Sequence, residues 1–227
     1  MEKKTIINTK AISYFVSIKE LIQYKDLFYV LSAREFKVRY AQTFLGFLWA
    51  FIQPLLMLII FTFIFGYAIK VDTGNVPYPV FVLTGMIAWN YFSLVVNLAS
   101  RSIINEQNMV KKIYFPRIII PLSKAGVGLI DFLITLLLLF GVMFYYGITP
   151  GINIIWLPFF IILIIISSLA IGIWISALTI RYRDFQHIVP FILQVGMYVT
   201  PIAYSASYVP EKYLLMYYIL NPIAGVV

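Results

Sequence analysis

Cysteine is absent from the 227 residues, and histidine occurs once, at His187. A chain without thiols forms no disulfide bond or thiolate metal site, and one imidazole provides no histidine cluster for a metal ion. Charged residues are also scarce: Asp, Glu, Lys and Arg make up 11% of the chain, whereas soluble domains average about 25%. These shortages exclude a disulfide scaffold and a histidine or thiolate metal centre, and they argue against a water-soluble globular domain.

Apolar residues are correspondingly abundant, at 62% of the chain, and the mean hydropathy is +0.94. A helix needs roughly 20 predominantly apolar residues to cross the hydrocarbon core of a bilayer. Five stretches meet or approach that length, at about 44–69, 80–98, 118–144, 154–180 and 188–204, and the last is short and interrupted by Gly and Pro. Their apolar runs lack the alternation of a transmembrane barrel. The sequence therefore predicts an all-α integral membrane protein with five visible spans.

Basic residues are distributed unevenly between the two sides of these spans. Fifteen of the 17 Lys and Arg residues precede the first span or lie in the connections on the same side, whereas Lys70 and Lys212 lie on the other. Loops rich in Lys and Arg stay in the cytoplasm, so we predict a cytoplasmic N-terminus. The first 43 residues carry twelve charges and no long apolar core, which does not fit a cleaved export signal. The net charge of +8 then indicates contact with anionic lipid headgroups rather than with nucleic acid.

Residues 18–40 combine apolar residues at roughly helical spacing, such as Leu21, Tyr24 and Phe28, with interspersed Lys and Arg. This pattern predicts an amphipathic helix with a cationic face, suited to the headgroup region of a membrane. Two interpretations of the cationic face stay open. It serves only to fix topology, or it contacts an anionic, lipid-linked substrate.

Polar side chains interrupt the first two spans. Gln53 precedes Pro54 in the first, and Asn90, Ser93 and Asn97 share one helical face of the second because they are three and four residues apart. Such a stripe on a membrane helix faces protein or water rather than lipid. It therefore either lines a pathway or bonds to a neighbouring helix.

Asp131 lies well inside the third predicted span. A carboxylate at that depth costs several kcal/mol unless it is paired, hydrated or protonated. We expect it to pair with a group on another helix. A proton-relay role is the alternative, although no second acidic residue or histidine falls within a predicted span.

Two polar connections are predicted on the cytoplasmic side. Residues 101–117 provide about three helical turns before Pro116, which suits either docking of a cytosolic partner or an ordinary loop on the headgroups. The turn at 181–187 contains no serine or cysteine nucleophile, and its polar residues are Arg181, Arg183, Asp184 and His187.

Four blocks of sequence carry a family resemblance. They are KVRYAQTFLGFLWAFIQPLL (37–56), KKIYFPRIIIPL (111–122), RYRDFQHIVPFILQVGMYVTPIAY (181–204) and LNP (220–222). In this order and spacing they resemble the membrane subunit of polysaccharide ABC exporters, the type 2 permeases that export O-antigen chains, capsules or teichoic acids. Family members have six spans, so the resemblance implies a single permease domain over 1–227 and a sixth span that is missing here.

The resemblance also implies partners and a division of labour. Two permeases would form a homodimer with the path for a lipid-linked polysaccharide between them, and two copies of a cytosolic ATPase would bind underneath. The chain contains no G-x-x-x-x-G-K-[ST] phosphate-binding loop. We therefore expect ATP and Mg²⁺ in the partner, and no catalytic, cofactor or metal site in this chain.

Residue roles follow from the same resemblance. Residues 101–115 would hold a coupling helix that docks on the ATPase through Asn105, Glu106, Asn108, Lys111 and Lys112. The basic helix would meet the diphosphate of an undecaprenyl-linked glycan at the cytoplasmic entrance through Arg34, Lys37 and Arg39. Spans one and five would form the channel and the dimer interface, with sugar-facing aromatics at Trp49, Tyr198 and Tyr204. Residues 205–221 would form a periplasmic re-entrant gate.

Three other functions compete with this one. The same architecture serves exporters of teichoic acid, capsule, lipid, drug or haem. A membrane enzyme acting on a lipid-linked glycan would use the acid–histidine pair Asp184 and His187. A proton-coupled carrier would rely on Asp131.

Overall fold

The computed structural model describes residues 18–40, 45–74, 76–204, 210–221 and 223–225 of the chain. These residues form nine α-helices, which in chain order are α1 (Ile18–Gln23), α2 (Lys25–Tyr40), α3 (Trp49–Phe61), α4 (Tyr78–Asn105), α5 (Gln107–Lys112), α6 (Ile119–Tyr145), α7 (Leu157–Arg181), α8 (Phe185–Val199) and α9 (Glu211–Leu220).

Four of the five predicted spans are long, apolar helical segments in the described part of the chain. They run over Gly46–Ala68, Tyr78–Asn105, Ile119–Tyr145 and Ile152–Arg181. The first extends α3 at both ends with a 3₁₀ turn and π-helical turns, and the fourth adds a 3₁₀ turn before α7. The fifth corresponds to α8, whose 15 residues are fewer than the roughly 20 that cross a bilayer directly. The all-α fold with an apolar bundle is confirmed.

Helix α4 lies at the centre of this bundle and packs against α6, α7 and α8. Two glycines allow the close approach. A Cβ on Gly172 of α7 would lie 2.7 Å from the Cβ of Ala99, and one on Gly128 of α6 would lie 2.9 Å from the Tyr91 ring. Small residues at helix interfaces let backbones approach closely, which is the main source of packing energy between membrane helices. Sixteen of the 28 residues of α4 are buried by these neighbours.

The amphipathic helix predicted over residues 18–40 is helical, with a one-residue break at Tyr24 between α1 and α2. One side of α2 packs on the bundle, where Leu31 joins a buried cluster with Phe115, Ile119 and Ile120. The Ser32 hydroxyl also donates a hydrogen bond of 2.9 Å to the carbonyl oxygen of Ser123. Because these contacts reach the first turns of α6, α2 is fixed to the bundle by protein contacts. The exposed side of α2 carries apolar residues together with basic ones: Tyr29, Val30, Val38, Arg34 and Lys37. The basic residues therefore do not form the separate cationic face that was predicted.

The chain after α8 folds back on the end of that helix. The Tyr217 hydroxyl of α9 donates to the Val199 carbonyl at 2.6 Å, and the Asn221 side-chain amide donates to the Thr200 hydroxyl at 2.8 Å. In the predicted re-entrant segment 205–221, residues 205–209 lie outside the described residues. Its role as a periplasmic gate stays a prediction.

Candidate functional site

A half-open cavity of about 500 Å³ lies between the end of α2 and helices α3, α4, α6 and α8. Half of its described lining residues are polar, although the surrounding bundle is apolar: Arg39, Tyr40, Gln53, Asn90, Ser93, Asn97, Asp131, Thr135 and Gln194. Polar groups within membrane helices are costly, and they generally face protein partners or a water-filled space that serves function. This polar cavity is the candidate functional site.

The polar stripe predicted on the second span is confirmed as one face of α4. Asn90, Ser93 and Asn97 all line the cavity, and Gln53 of α3 faces it as well. An Asn or Gln side chain both donates and accepts hydrogen bonds. The wall formed by α3 and α4 therefore suits a ligand rich in hydroxyl groups.

The charged part of the wall is built around Asp131 of α6. One carboxylate oxygen lies 3.1 Å from Nη2 of Arg39, and the other accepts a 2.5 Å hydrogen bond from the Tyr40 hydroxyl. Both donors belong to the last turn of α2. The expectation that Asp131 pairs with another helix is confirmed, and its carboxylate has two donors at the cavity surface.

Tyr40 itself is held as a proton donor. Burial raises the pKa of its hydroxyl well above the usual range, and the hydrogen bond to the Asp131 carboxylate raises it further. The Arg39 guanidinium lies over the Tyr40 ring at 5.6 Å from the ring centroid. Tyr40 therefore stays neutral near pH 7 and continues to donate to Asp131.

Two of the three predicted headgroup ligands are engaged by carboxylates. Arg34 forms a salt bridge with Glu106, and Arg39 forms the one with Asp131. Lys37 is exposed. Of these three, only Arg39 lines the cavity, so the structure does not bring the predicted trio together.

The predicted channel aromatics are also separated. Trp49 lines the cavity, where Trp89 of α4 joins it. Tyr198 has 65% of its surface exposed, and the Tyr204 hydroxyl donates to the Val199 carbonyl at 2.8 Å. Neither tyrosine belongs to the cavity wall, so Trp49 is the one member of the predicted set at this site.

The predicted docking segment consists of the end of α4, a break at Glu106 and the short helix α5. Met109 and Val110 of α5 pack toward the buried cluster below α2. The opposite side is exposed and presents four of the five predicted coupling residues: Asn105, Asn108, Lys111 and Lys112. The fifth, Glu106, is turned to Arg34.

The turn between α7 and α8 lies apart from the cavity. Its four predicted polar residues are exposed, and the Arg181 guanidinium lies 5.3 Å from the centroid of the Tyr182 ring. His187 contacts Asp184 through its backbone amide, which donates to the Asp184 carbonyl oxygen at 2.9 Å. Within the described ranges, no group of three or more His, Asp or Glu residues could hold a metal ion. The turn thus offers no enclosed site for an acid–histidine pair.

Sequence reasoning missed Arg101 beside the cavity wall and four polar or tryptophan residues of the wall itself: Tyr40, Trp89, Thr135 and Gln194. The guanidinium of Arg101 bonds to the side-chain oxygen of Asn97 just beyond the cavity. The spacing of four residues between Asn97 and Arg101 predicts that the two side chains are neighbours on one helical face, so the sequence could have revealed this contact. No signal in the sequence connects Tyr40 with Asp131, because they are distant along the chain.

Comparison with known proteins gives consistent matches. The family model described as ABC-2 type transporter matches residues 26–227. The O-antigen export system permease protein RfbA of Klebsiella pneumoniae is 33% identical over 205 residues, covering 89% of this chain and 77% of the relative. RfbA of Myxococcus xanthus is 30% identical over 195 residues, or 86% and 74%. The polysialic acid transport protein KpsM of Escherichia coli is 26% identical over 201 residues, or 87% and 76%.

Proposed function

Because this chain belongs to the ABC-2 type transporter family, we propose that it is the permease subunit of an exporter of lipid-linked, O-antigen-type polysaccharide. The cargo crosses the inner membrane of a bacterium on an undecaprenyl diphosphate carrier. The names of the relatives favour this cargo, since two of the three are O-antigen export permeases and the third transports polysialic acid.

The single observation that carries the proposal is the half-open, polar, tryptophan-bearing cavity of an otherwise apolar bundle. Sugars present many hydroxyl groups, which Gln53, Asn90 and Gln194 can satisfy as both donors and acceptors. The exposed indole ring of Trp49 offers a flat apolar face of the kind that binding pockets combine with a few polar groups, whereas Trp89 is buried at the cavity wall.

The proposed topology places the N-terminus in the cytoplasm. Helices α1, α2 and α5 and the turn after α7 then lie on the cytoplasmic side, and Lys70 and Lys212 lie outside. The distribution of Lys and Arg supports this orientation.

The proposed partners are a second copy of this chain and two copies of a cytosolic ATPase, which holds the ATP and Mg²⁺. The exposed side of α5 is the proposed docking surface. Its support is geometric, because Met109 and Val110 fix α5 to the α2 cluster while Lys111 and Lys112 remain exposed. Movement of the ATPase would therefore be transmitted to α2 and to the cavity wall.

The cargo is tested in a strain from which the gene for this chain is deleted. We expect lipid-linked polysaccharide to accumulate in the cytoplasm and surface polysaccharide to disappear, with both restored by the full-length protein. A deletion strain with normal surface polysaccharide and no accumulated intermediate would show that this function is wrong.

The docking surface is tested by a double charge reversal, Lys111→Glu with Lys112→Glu. Like charges facing each other at an interface cost several kcal/mol, so we expect the amount of co-purified ATPase to fall at least about tenfold and export to fall with it. The matched control reverses the exposed lysines proposed for the other face, Lys70→Glu with Lys212→Glu, and retains the ATPase. Normal ATPase recovery with the first pair would place docking elsewhere.

A further inference from the structure

The described lining of the cavity carries one cation and one anion, Arg39 and Asp131, and they bind each other. Their side chains are 33% and 19% exposed, so both can be reached from the cavity. The two oxygens of the carboxylate are divided between two donors, because Tyr40 holds the oxygen that Arg39 does not. The Arg39 guanidinium can therefore leave Asp131 for another anion, since the Asp131 carboxylate keeps its hydrogen bond from Tyr40 when Arg39 turns away.

Two other ion pairs already fasten α2 to the bundle. Arg34 pairs with Glu106, and Glu35 pairs with Lys124 at 2.5 Å. Neither pair lines the cavity. Anchoring of α2 therefore does not explain why a third pair is placed at the wall of the polar cavity.

We propose that Asp131 is a specificity-determining residue, whose carboxylate competes with the diphosphate headgroup of the cargo for the guanidinium of Arg39. The class of cargo rests on the proposed function. A diphosphate carries more negative charge than one carboxylate and presents paired oxygens to the guanidinium fork, so it displaces Asp131. A neutral or singly charged lipid headgroup does not, and the competition keeps bulk membrane lipids from occupying the cavity.

The test uses the full-length permease with its co-purified ATPase in phosphatidylcholine nanodiscs. Farnesyl diphosphate is the probe, and inorganic pyrophosphate and farnesol are the other arms. Binding is followed through tryptophan fluorescence, because Trp49 and Trp89 line the cavity. The measured quantity is the half-saturating concentration of each probe.

Three variants have different expected outcomes. Asp131→Asn removes the competing charge and should lower the half-saturating concentration of farnesyl diphosphate by about tenfold. Tyr40→Phe should raise it, because the released carboxylate then loses its remaining donor. Arg39→Gln should abolish binding. The control Asp26→Asn removes an exposed carboxylate elsewhere on α2 and should change nothing.

The sign of the Asp131→Asn effect decides the inference. If the ion pair only stabilises the fold, Asp131→Asn leaves the binding of farnesyl diphosphate unchanged or weakens it. Either result would show that Asp131 does not compete with the diphosphate. Failure of both Asp131→Asn and Tyr40→Phe to assemble with the ATPase would also overturn the proposal, since the contacts among Arg39, Tyr40 and Asp131 would then be needed for folding. If Asp131→Asn tightens binding of farnesyl diphosphate but not of pyrophosphate, the ligand that displaces Asp131 is a lipid-linked diphosphate. If it tightens binding of both probes equally, the diphosphate group is sufficient without its lipid.

The inference and the proposed function fail separately. A wild-type complex that restores surface polysaccharide in cells but does not bind farnesyl diphosphate would overturn the competition and leave the exporter in place. If Asp131→Asn binds farnesyl diphosphate more tightly but deletion of the gene leaves surface polysaccharide unchanged, the competition at Arg39 stands and the proposed polysaccharide cargo is wrong.

Discussion

Single residues in the three ion pairs of α2 differ in how strongly they depend on their partners. Lys124 is only 4% exposed at its side chain, whereas Arg34 is 45% exposed. An exposed pair contributes little because water solvates both charges well, but a buried charge needs its partner. The Glu35–Lys124 pair should therefore be the most sensitive of the three.

Glu35→Gln tests that expectation. The variant leaves the buried ammonium of Lys124 without an anion, which we expect to destabilise the protein by about 3 kcal/mol and to lower its thermal midpoint in detergent. The double variant Glu35→Gln with Lys124→Met removes the buried charge as well and should regain most of the loss. A single variant as stable as the parent, or a double variant as unstable as the single, would contradict this account.

For single residues, the sequence predicts that a buried charge must be paired but does not identify its partner. The depth of Asp131 in an apolar run predicts that its carboxylate must be paired, because an unpaired charge there is too costly. Its donors, Arg39 and Tyr40, lie near the start of the chain, outside the spans. Helical periodicity relates residues within one turn or two and cannot identify a contact between separate helices.

Among the helices, α4 depends on the closeness of its neighbours more than on any one side chain. At Gly172 of α7, a Cβ would lie 2.7 Å from the Cβ of Ala99. Side chains cannot relieve this overlap by rotation, since both Cβ atoms are fixed to their backbones. The two helices would have to separate.

Gly172→Ala should therefore destabilise the bundle, although alanine is the better helix former. Overpacking a tight core typically costs about 1–3 kcal/mol, which we expect as a lower thermal midpoint of the purified protein. Adding Ala99→Gly restores the space and should recover the midpoint. Gly141→Ala in α6 is the matched control, because nothing lies within 4 Å of its added Cβ. A Gly172→Ala variant as stable as Gly141→Ala would show that α4 and α7 can move apart without loss of stability.

The ends of helices show where hydropathy is a poor guide. The second span was predicted to end near residue 98, but α4 continues to Asn105. Ser100 and Ser102 are buried there and donate their hydroxyls to carbonyls three residues earlier, so they fit inside a helix without being apolar. In α8 the predicted end at residue 204 is too late, because Thr200 precedes Pro201 and takes an extended conformation.

For the whole molecule, composition and motif order were sufficient to predict the class. Four sequence blocks predicted the resemblance to polysaccharide ABC exporter permeases, and the ABC-2 match over residues 26–227 confirms the family. The composition of the cavity was not predictable as a whole. It brings together residues from five helices, and the sequence reveals only the stripe that lies on one of them.

The orientation of the whole molecule can be tested cleanly because the chain has no cysteine. We expect Gly151→Cys and Lys212→Cys to react with a membrane-impermeant maleimide in intact spheroplasts, since both sites are exposed and predicted outside. Lys25→Cys and Arg183→Cys, exposed and predicted inside, should react only after permeabilisation. The cysteine-free parent reports background labelling. Labelling of Lys25→Cys in sealed cells would invert the topology, and with it the assignment of α5 to a cytosolic ATPase.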